Sequence, residues 1–132
     1  MIRGSCCCKA VEFELTSTPT IMGTCHCTRC RKVGASSFVI VRKDSFRWIR
    51  GADQLRKFEP VPPYKYSRTF CGHCGTSLGE AGSDAESFPI PVNCLDDDPG
   101  IANRFHEYVS EKPGWYEICD SAKQFPGDPK AN

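Results

Sequence analysis

The stretch TFCGHCG, residues 69–75, decides how this chain folds. Cys71 and Cys74 enclose two residues and a glycine follows, which is the spacing of a zinc knuckle, a turn that aims both sulfurs at one point. A structural zinc ion takes four ligands in a tetrahedron, so this pair needs two more. Cys6 and Cys8 can supply them, since residues i and i+2 of a strand share one face. The sequence therefore predicts a four-sulfur structural zinc site that joins distant segments.

A second group of cysteines has the spacing of an open metal site. It reads Cys25-His26-Cys27-x-x-Cys30, so two sulfurs fall on one side of a strand and the following turn adds the third. Three protein ligands leave one coordination position free, as in catalytic zinc sites. We expect His26 to point away from the metal, and Cys94 and His106 are minor candidates for the fourth position. These three cysteines are the predicted catalytic residues and labile zinc ligands, which makes two zinc ions per chain.

The ten cysteines also bear on the compartment. The N-terminal residues MIRGSCCCKA contain no apolar signal-peptide core, and the longest wholly apolar run, residues 38–41, is far short of the roughly 20 residues that span a membrane. We therefore expect a soluble cytoplasmic protein, in which clustered thiols bind metal rather than form disulfides. Cys7 lies beside two predicted ligands and is expected to be a small buried hydrophobic residue.

Short β-like segments, separated by glycine and proline, predict a mainly β protein. The clearest signal is residues 11–15, where apolar residues alternate with glutamates. Further strands are expected at residues 36–41, 46–49, 55–59, 66–70, 76–80, 90–95 and 105–109, with one helical turn after Cys27. We expect one domain over residues 1–125 and a frayed tail over residues 126–132.

The order of these motifs resembles one known family. The motifs are Gly4-x-Cys6-x-Cys8, Cys25-His26-Cys27-x-x-Cys30-Arg31, Phe70-Cys71-x-x-Cys74-Gly75, Leu95-Asp96-Asp97, and His106 followed by Lys112-Pro113-x-Trp115. Together they resemble the glutathione-dependent formaldehyde-activating enzyme family, which shares a domain with centromere protein V. The resemblance implies stacked, bent antiparallel sheets around a structural zinc, an Mss-four-like β-tent fold. It also implies the same division of the seven cysteines into a structural and a labile zinc site.

The activity that this resemblance implies is carbon–sulfur bond formation by a lyase, in which a thiol such as glutathione adds to formaldehyde or a related small aldehyde. A thiol is a nucleophile only as the thiolate. Three thiolates on Zn²⁺ leave a net charge of −1, which makes a poor Lewis acid, so we prefer delivery of the thiolate to activation of the aldehyde. Arg31, next to the third ligand, is expected to hold a substrate carboxylate. Asp96 and Asp97 are interpreted as structural turn residues.

Two other interpretations stay open. Residues 29–68 carry a net charge of +8 and residues 80–120 one of −8, although the whole chain carries only +1. The basic segment contains Phe46, Trp48, Tyr64 and Tyr66, which could stack on bases, so a non-catalytic zinc module that binds a protein or nucleic acid is the alternative. The near-neutral total makes nucleic acid an improbable partner. The third interpretation is a redox protein that uses Cys94 or Cys119 as its nucleophile.

Overall fold

A computed structural model describes residues 1–129 and consists mainly of short strands. The strands are β1 Ile2–Ser5, β2 Glu12–Leu15, β3 Met22–Cys25, β4 Ser37–Arg42, β5 Phe46–Arg50, β6 Leu55–Phe58, β7 Arg68–Cys71, β8 Ser77–Gly79, β9 Ser87–Pro91, β10 Phe105–Glu107 and β11 Lys123–Gln124. One α-helix, α1 Thr28–Lys32, follows β3. Turns of 3₁₀-helix occupy Lys43–Ser45, Ala52–Gln54, Val92–Cys94 and Val109–Glu111. The predicted mainly β fold is confirmed.

The strands form three sheets, whose strand orders are β1-β2-β5, β11-β10-β3-β4-β9 and β6-β7-β8. Pairing is antiparallel except at β10, which runs parallel to both β3 and β11. In the parallel pair β10–β3, Glu107 lies opposite Cys25. The largest sheet therefore brings a segment from the C-terminal third of the chain against Cys25, the first residue of the Cys25-His26-Cys27 segment, called the CHC motif below.

The alternating pattern of residues 11–15 gives β2 one buried face. Val11, Phe13 and Leu15 are at most 1% exposed, while Glu12 and Glu14 reach arginines of the neighbouring strand. The core continues through β4 and β9 and is formed by Ile2, Cys6, Val11, Phe13, Leu15, Val39, Val41, Cys71, Leu78, Ala81, Phe88, Ile90 and Cys94. Cys6 and Cys71 belong to this core, so the predicted structural metal site is built into the packing of the domain.

Three strands differ from the sequence-based expectation for identifiable reasons. β1 and β3 each contain a glycine, Gly4 and Gly23, and a Cβ atom at either position would overlap an aromatic ring from the neighbouring strand. Glycine weakens the strand signal in the sequence, yet here it permits a close approach. The strand expected at residues 90–95 lies instead at β9, and its last residues form a 3₁₀ turn. β9 is an edge strand, where proline is tolerated because its missing N–H is not needed by the sheet.

The chain beyond β11 is hydrogen bonded back to the segment after β10. Tyr108 donates its backbone N–H to Gly127, Val109 to Phe125, and Ser110 to Pro126. Two residues of the segment expected to be frayed are therefore held by backbone hydrogen bonds, while residues 130–132 lie outside the described part of the chain. Within residues 1–129, no helix has the length and apolar character required for a transmembrane span.

Candidate metal centres

The four cysteines predicted to form the structural site converge in space. The sulfur atoms of Cys6, Cys8, Cys71 and Cys74 all lie within 4.8 Å of one another. The Cys6–Cys8 sulfurs are 3.6 Å apart and the Cys8–Cys71 sulfurs 3.8 Å apart. Tetrahedral zinc with Zn–S bonds of about 2.3 Å requires S–S separations of about 3.8 Å. The donor type and the spacing therefore both fit a zinc ion.

Two turns hold these sulfurs in place. After β1, Lys9 donates its backbone N–H to Cys6 and adopts a left-handed conformation with φ of 67°. After β7, Gly75 donates to the Cys71 carbonyl with φ of 78°, which glycine adopts without strain. The Thr76 hydroxyl lies 3.2 Å from the Cys74 sulfur, and that hydrogen bond lowers the pKa of the thiol to about 5. Cys74 thus favours the thiolate form that a metal ion requires.

The turn after β1 also corrects one expectation. Cys7 is exposed to solvent, whereas strand alternation predicted that it would be buried. Strand β1 ends at Ser5, so residues 6–9 form a turn and the period of two does not apply to them. The backbone N–H of Cys7 donates to the Thr76 hydroxyl, at 2.9 Å, which links the two ligand-bearing turns. The prediction that Cys7 is a buried hydrophobic residue is wrong.

The second predicted group also converges. Cys25 ends β3, Cys27 is the N-cap residue of α1, and Cys30 lies within that helix. Their sulfurs lie within 4.8 Å of one another. The Cys27 sulfur accepts a hydrogen bond from the Cys30 backbone N–H at 3.3 Å, and hydrogen bonds from the Cys25 and Cys30 thiols lower the pKa of Cys27. This trio therefore also fits a thiophilic metal ion, with Cys25 buried and the other two sulfur-bearing side chains half-buried.

Neither sequence candidate for a fourth ligand belongs to this group. Cys94 is buried elsewhere and donates its thiol to the Pro91 carbonyl at 3.0 Å. Burial raises the pKa of Cys94 to about 12, which also argues against its use as a redox nucleophile. His106 is hydrogen bonded to His26 and Asp120 instead. Within residues 1–129, the group of possible metal ligands at this place consists of Cys25, Cys27 and Cys30 alone.

A buried pair of histidines includes the central residue of the CHC motif. His26 Nε2 lies 2.8 Å from His106 Nδ1, and His106 Nε2 lies 3.0 Å from an Asp120 carboxylate oxygen. His26 and His106 are 5% and 3% exposed, and burial lowers the pKa of His26. His26 is thus bonded to His106 and does not belong to the sulfur cluster, which agrees with the expectation that it is not a ligand. The pairing of His26 with His106 could not be predicted from local sequence, because it depends on the long-range parallel pairing of β10 with β3.

Arg68, which was not among the residues predicted from the sequence, contacts the open cluster formed by Cys25, Cys27 and Cys30. Arg68, the first residue of β7, lies with its two terminal nitrogens 3.6 and 3.7 Å from the Cys30 sulfur. The predicted substrate residue Arg31 follows Cys30 in α1 and is exposed. Arg29, in the same helix, lies over the ring of Tyr64 at 3.7 Å from its centroid. Arginines from two separate segments therefore surround this face of the protein.

A carboxyl group from β10 lies beside Cys25. Glu107 pairs with Cys25 across the parallel strands, and its burial raises the pKa of the carboxyl, an effect opposed by a hydrogen bond with the Cys25 thiol. The side chain of Tyr66 is largely exposed, but partial loss of solvent around its hydroxyl raises the pKa of that group, and the charge of Glu107 raises it further. Polar groups that can donate or accept a proton therefore stand beside the three sulfurs.

The acidic pair Asp96 and Asp97 is structural, as the sequence analysis expected. Asp96 accepts a hydrogen bond from the Ser5 hydroxyl at 2.8 Å, and Asp97 accepts one from the backbone N–H of Arg3, also at 2.8 Å. That backbone hydrogen bond lowers the pKa of Asp97. Both carboxylates fasten the segment after β9 to β1, which carries the chain into the first two ligands of the structural site.

Comparison with known proteins agrees with this architecture. The family model described as glutathione-dependent formaldehyde-activating enzyme matches residues 1–111, which include all seven clustered cysteines. The chain therefore belongs to the glutathione-dependent formaldehyde-activating enzyme family.

Among solved structures, a Rhodobacter sphaeroides protein is similar, with a TM-score of 0.58 and 28% sequence identity over 76% of this chain and 90% of that chain. No curated protein matches the chain.

Proposed function

We propose that this protein is a zinc-dependent carbon–sulfur lyase that adds a thiol, with glutathione as the first candidate, to formaldehyde or a related small aldehyde. Family membership supports this reaction class. The observation that carries the proposal is the three-cysteine cluster, in which Cys25, Cys27 and Cys30 offer three sulfurs to one point while tetrahedral zinc takes four ligands. A zinc ion held there would supply a free coordination position at which an incoming thiol binds as the thiolate.

The two clusters have different roles in this proposal, which assigns one zinc ion to each. The site of Cys6, Cys8, Cys71 and Cys74 has four sulfurs and is continuous with the core, so we assign it to structure. The three-sulfur site lies at the end of β3 and in the short helix α1, and two of its three thiols are only half-buried, so we assign it to substrate binding. Removing metal from the second site should therefore leave the fold intact.

Substrate recognition in this proposal depends on positive charge near the open cluster. Arg31 is exposed and lies one residue after Cys30, where its guanidinium can pair with a substrate carboxylate. Glutathione has two carboxylates, so it should bind better than a small neutral thiol. The cytoplasm is the compartment we favour, because the ten cysteines are all free thiols in the structure and a reducing environment keeps them so.

The competing interpretation is a non-catalytic zinc module that binds a protein or nucleic acid, and the structure gives less support to its base-stacking form. Phe46 and Trp48 pack against the core, so two of the four candidate stacking rings are committed to folding. Tyr64 and Tyr66 remain exposed, but the guanidinium of Arg29 already lies over one face of the Tyr64 ring. We therefore favour the enzyme.

Cobalt substitution tests the proposal directly, because thiolate-to-cobalt charge-transfer bands change when another sulfur binds. Glutathione should alter the spectrum of the three-cysteine site at a lower concentration than 2-mercaptoethanol. Arg31→Ala should remove that difference, a loss of about 1.5–3 kcal/mol for a charged hydrogen bond, and leave the metal bound. The matched control is Lys32→Ala, which removes a neighbouring exposed cation. A cobalt spectrum that neither thiol alters would contradict the proposed function.

A further inference from the structure

The side chain of Arg68 contacts Cys30, a member of the three-cysteine cluster. Both terminal nitrogens of Arg68 are directed at the same sulfur, at 3.6 and 3.7 Å. The planar guanidinium can direct two N–H groups at one acceptor because it carries five donors in a fixed plane, and such hydrogen bonds are stronger when the acceptor is ionised, as a metal-bound thiolate would be. Arg68 is half-buried, so solvent screens its charge less than that of an exposed arginine.

The position of Arg68 is fixed by the third sheet and is independent of helix α1. Arg68 begins β7 and pairs with Phe58 of β6, 38 residues beyond the cysteine that it contacts. The same strand ends at Cys71, a ligand of the four-cysteine site. Strand β7 thus begins with Arg68, which contacts the three-cysteine cluster, and ends with Cys71, which belongs to the four-cysteine site.

The contact between Arg68 and Cys30 matters because a metal-bound three-cysteine cluster would carry negative charge. Three thiolates around a divalent ion carry a net charge of −1, and a fourth thiolate would raise it to −2. A negative centre repels an anionic ligand, and the repulsion is strong where water is partly excluded. A guanidinium held against one of the sulfurs offsets one unit of this negative charge, both before and after the fourth thiolate binds.

We propose that Arg68 is the charge-compensating residue of the three-cysteine site, which lets that site retain a divalent metal ion and accept an anionic fourth ligand. The second half of this inference rests on the proposed function, since it concerns the incoming thiolate. The first half concerns the chain and its metal alone. Arg68 acts through Cys30 and the metal centre, so it is a positioning residue.

The test compares cobalt binding by the full chain in the parent protein and four variants. Arg68→Met removes the charge, Arg68→Gln removes the charge but keeps a donor, and Arg68→Lys keeps the charge with a single donor group. Lys32→Met is the matched control, because it removes an exposed cation two residues after Cys30. Competition with a chromophoric chelator measures cobalt affinity at the weaker site, and the thermal melt reports the fold.

We expect Arg68→Met and Arg68→Gln to lose about 10- to 100-fold in cobalt affinity, the usual effect of removing a group that supports a metal ligand. Arg68→Lys should lose less than either, and Lys32→Met should stay close to the parent. At saturating cobalt, the two uncharged variants should bind 2-mercaptoethanol at least about tenfold more weakly than the parent, while their affinity for neutral imidazole changes little. A purely structural role for Arg68 would weaken both ligands equally.

The outcomes separate this inference from the proposed function. Unchanged cobalt affinity in both uncharged variants would overturn the inference and leave the thiol chemistry standing. An equal loss in Lys32→Met would also overturn it, because the effect would then come from net charge rather than from the contact. If the parent binds no thiol but Arg68→Gln still loses cobalt affinity, charge compensation holds and the proposed function fails. Should Arg68→Met lose its fold, Arg68→Gln decides by the same criteria.

Discussion

The imidazole of His26 is hydrogen bonded to the imidazole of His106, 80 residues later in the chain, with 2.8 Å between Nε2 and Nδ1. His106 in turn bonds Asp120, whose carboxylate accepts from its Nε2. In a neutral His106 whose Nε2–H donates to Asp120, Nδ1 is left to accept a hydrogen bond from the Nε2–H of His26. The array contacts the CHC motif through His26, the residue between Cys25 and Cys27.

We expect His106→Ala to destabilise the protein and to weaken the metal at the three-cysteine site. The substitution leaves the buried His26 N–H without an acceptor, which costs about 1–3 kcal/mol, and it removes packed atoms as well. Asp120→Ala should have a smaller effect, because its side chain is half exposed. Thermal melts and cobalt titration measure both quantities. An unchanged cobalt affinity in His106→Ala would show that the array serves folding alone.

The two clusters should release metal in order. A structural zinc site contributes roughly 10–16 kcal/mol of binding and folding free energy, whereas a site with three protein ligands exchanges its metal more readily. Elemental analysis after stepwise chelation should find two zinc ions, then one with the fold retained, and then unfolding. Loss of all metal in a single step, together with the fold, would contradict the division into a structural and a labile site.

Serine substitutions should separate the two sites by stability. Cys71 is buried in the core and its cluster links turns that are 63 residues apart, so we expect Cys71→Ser to prevent stable folding. Cys27 lies in a local motif at the N-cap of α1, and serine is itself a good N-cap residue. We therefore expect Cys27→Ser to lose the labile metal but little stability. Circular dichroism melts of the two variants decide this, and equal losses would show that both sites are structural.

Close packing around the first strand offers a test that does not involve metal. A Cβ atom at Gly4 would overlap the ring of Phe13, whereas one at Gly114 would meet nothing within 4 Å. We expect Gly4→Ala to lower the free energy of unfolding by about 1–3 kcal/mol, the usual cost of overpacking, and Gly114→Ala to leave it nearly unchanged. Chemical denaturation measures both. A neutral Gly4→Ala would mean that β1 can move away from β2 without disturbing Cys6.

The sequence by itself determined the mainly β class, both cysteine clusters and the family. Cysteine spacing is a local property, so a CxC pair and a CxxC pair identify their ligands wherever the fold puts them. Strand alternation likewise predicted β2 correctly, since one of its faces is buried and the other carries charge. It failed at Cys7, because a period of two has no meaning in the turn that residues 6–9 adopt.

Tertiary structure alone decided which distant groups surround the open cluster. Arg68 reaches Cys30 through the β6–β7 pair, and His106 reaches His26 through the parallel pairing of β10 with β3. Parallel pairing depends on a long connection, and nothing in a short segment such as Phe105–Glu107 encodes its partner. Long-range strand pairing therefore selected the cation that contacts Cys30 and the imidazole that contacts His26, whereas the cysteines could be identified from their spacing in the sequence.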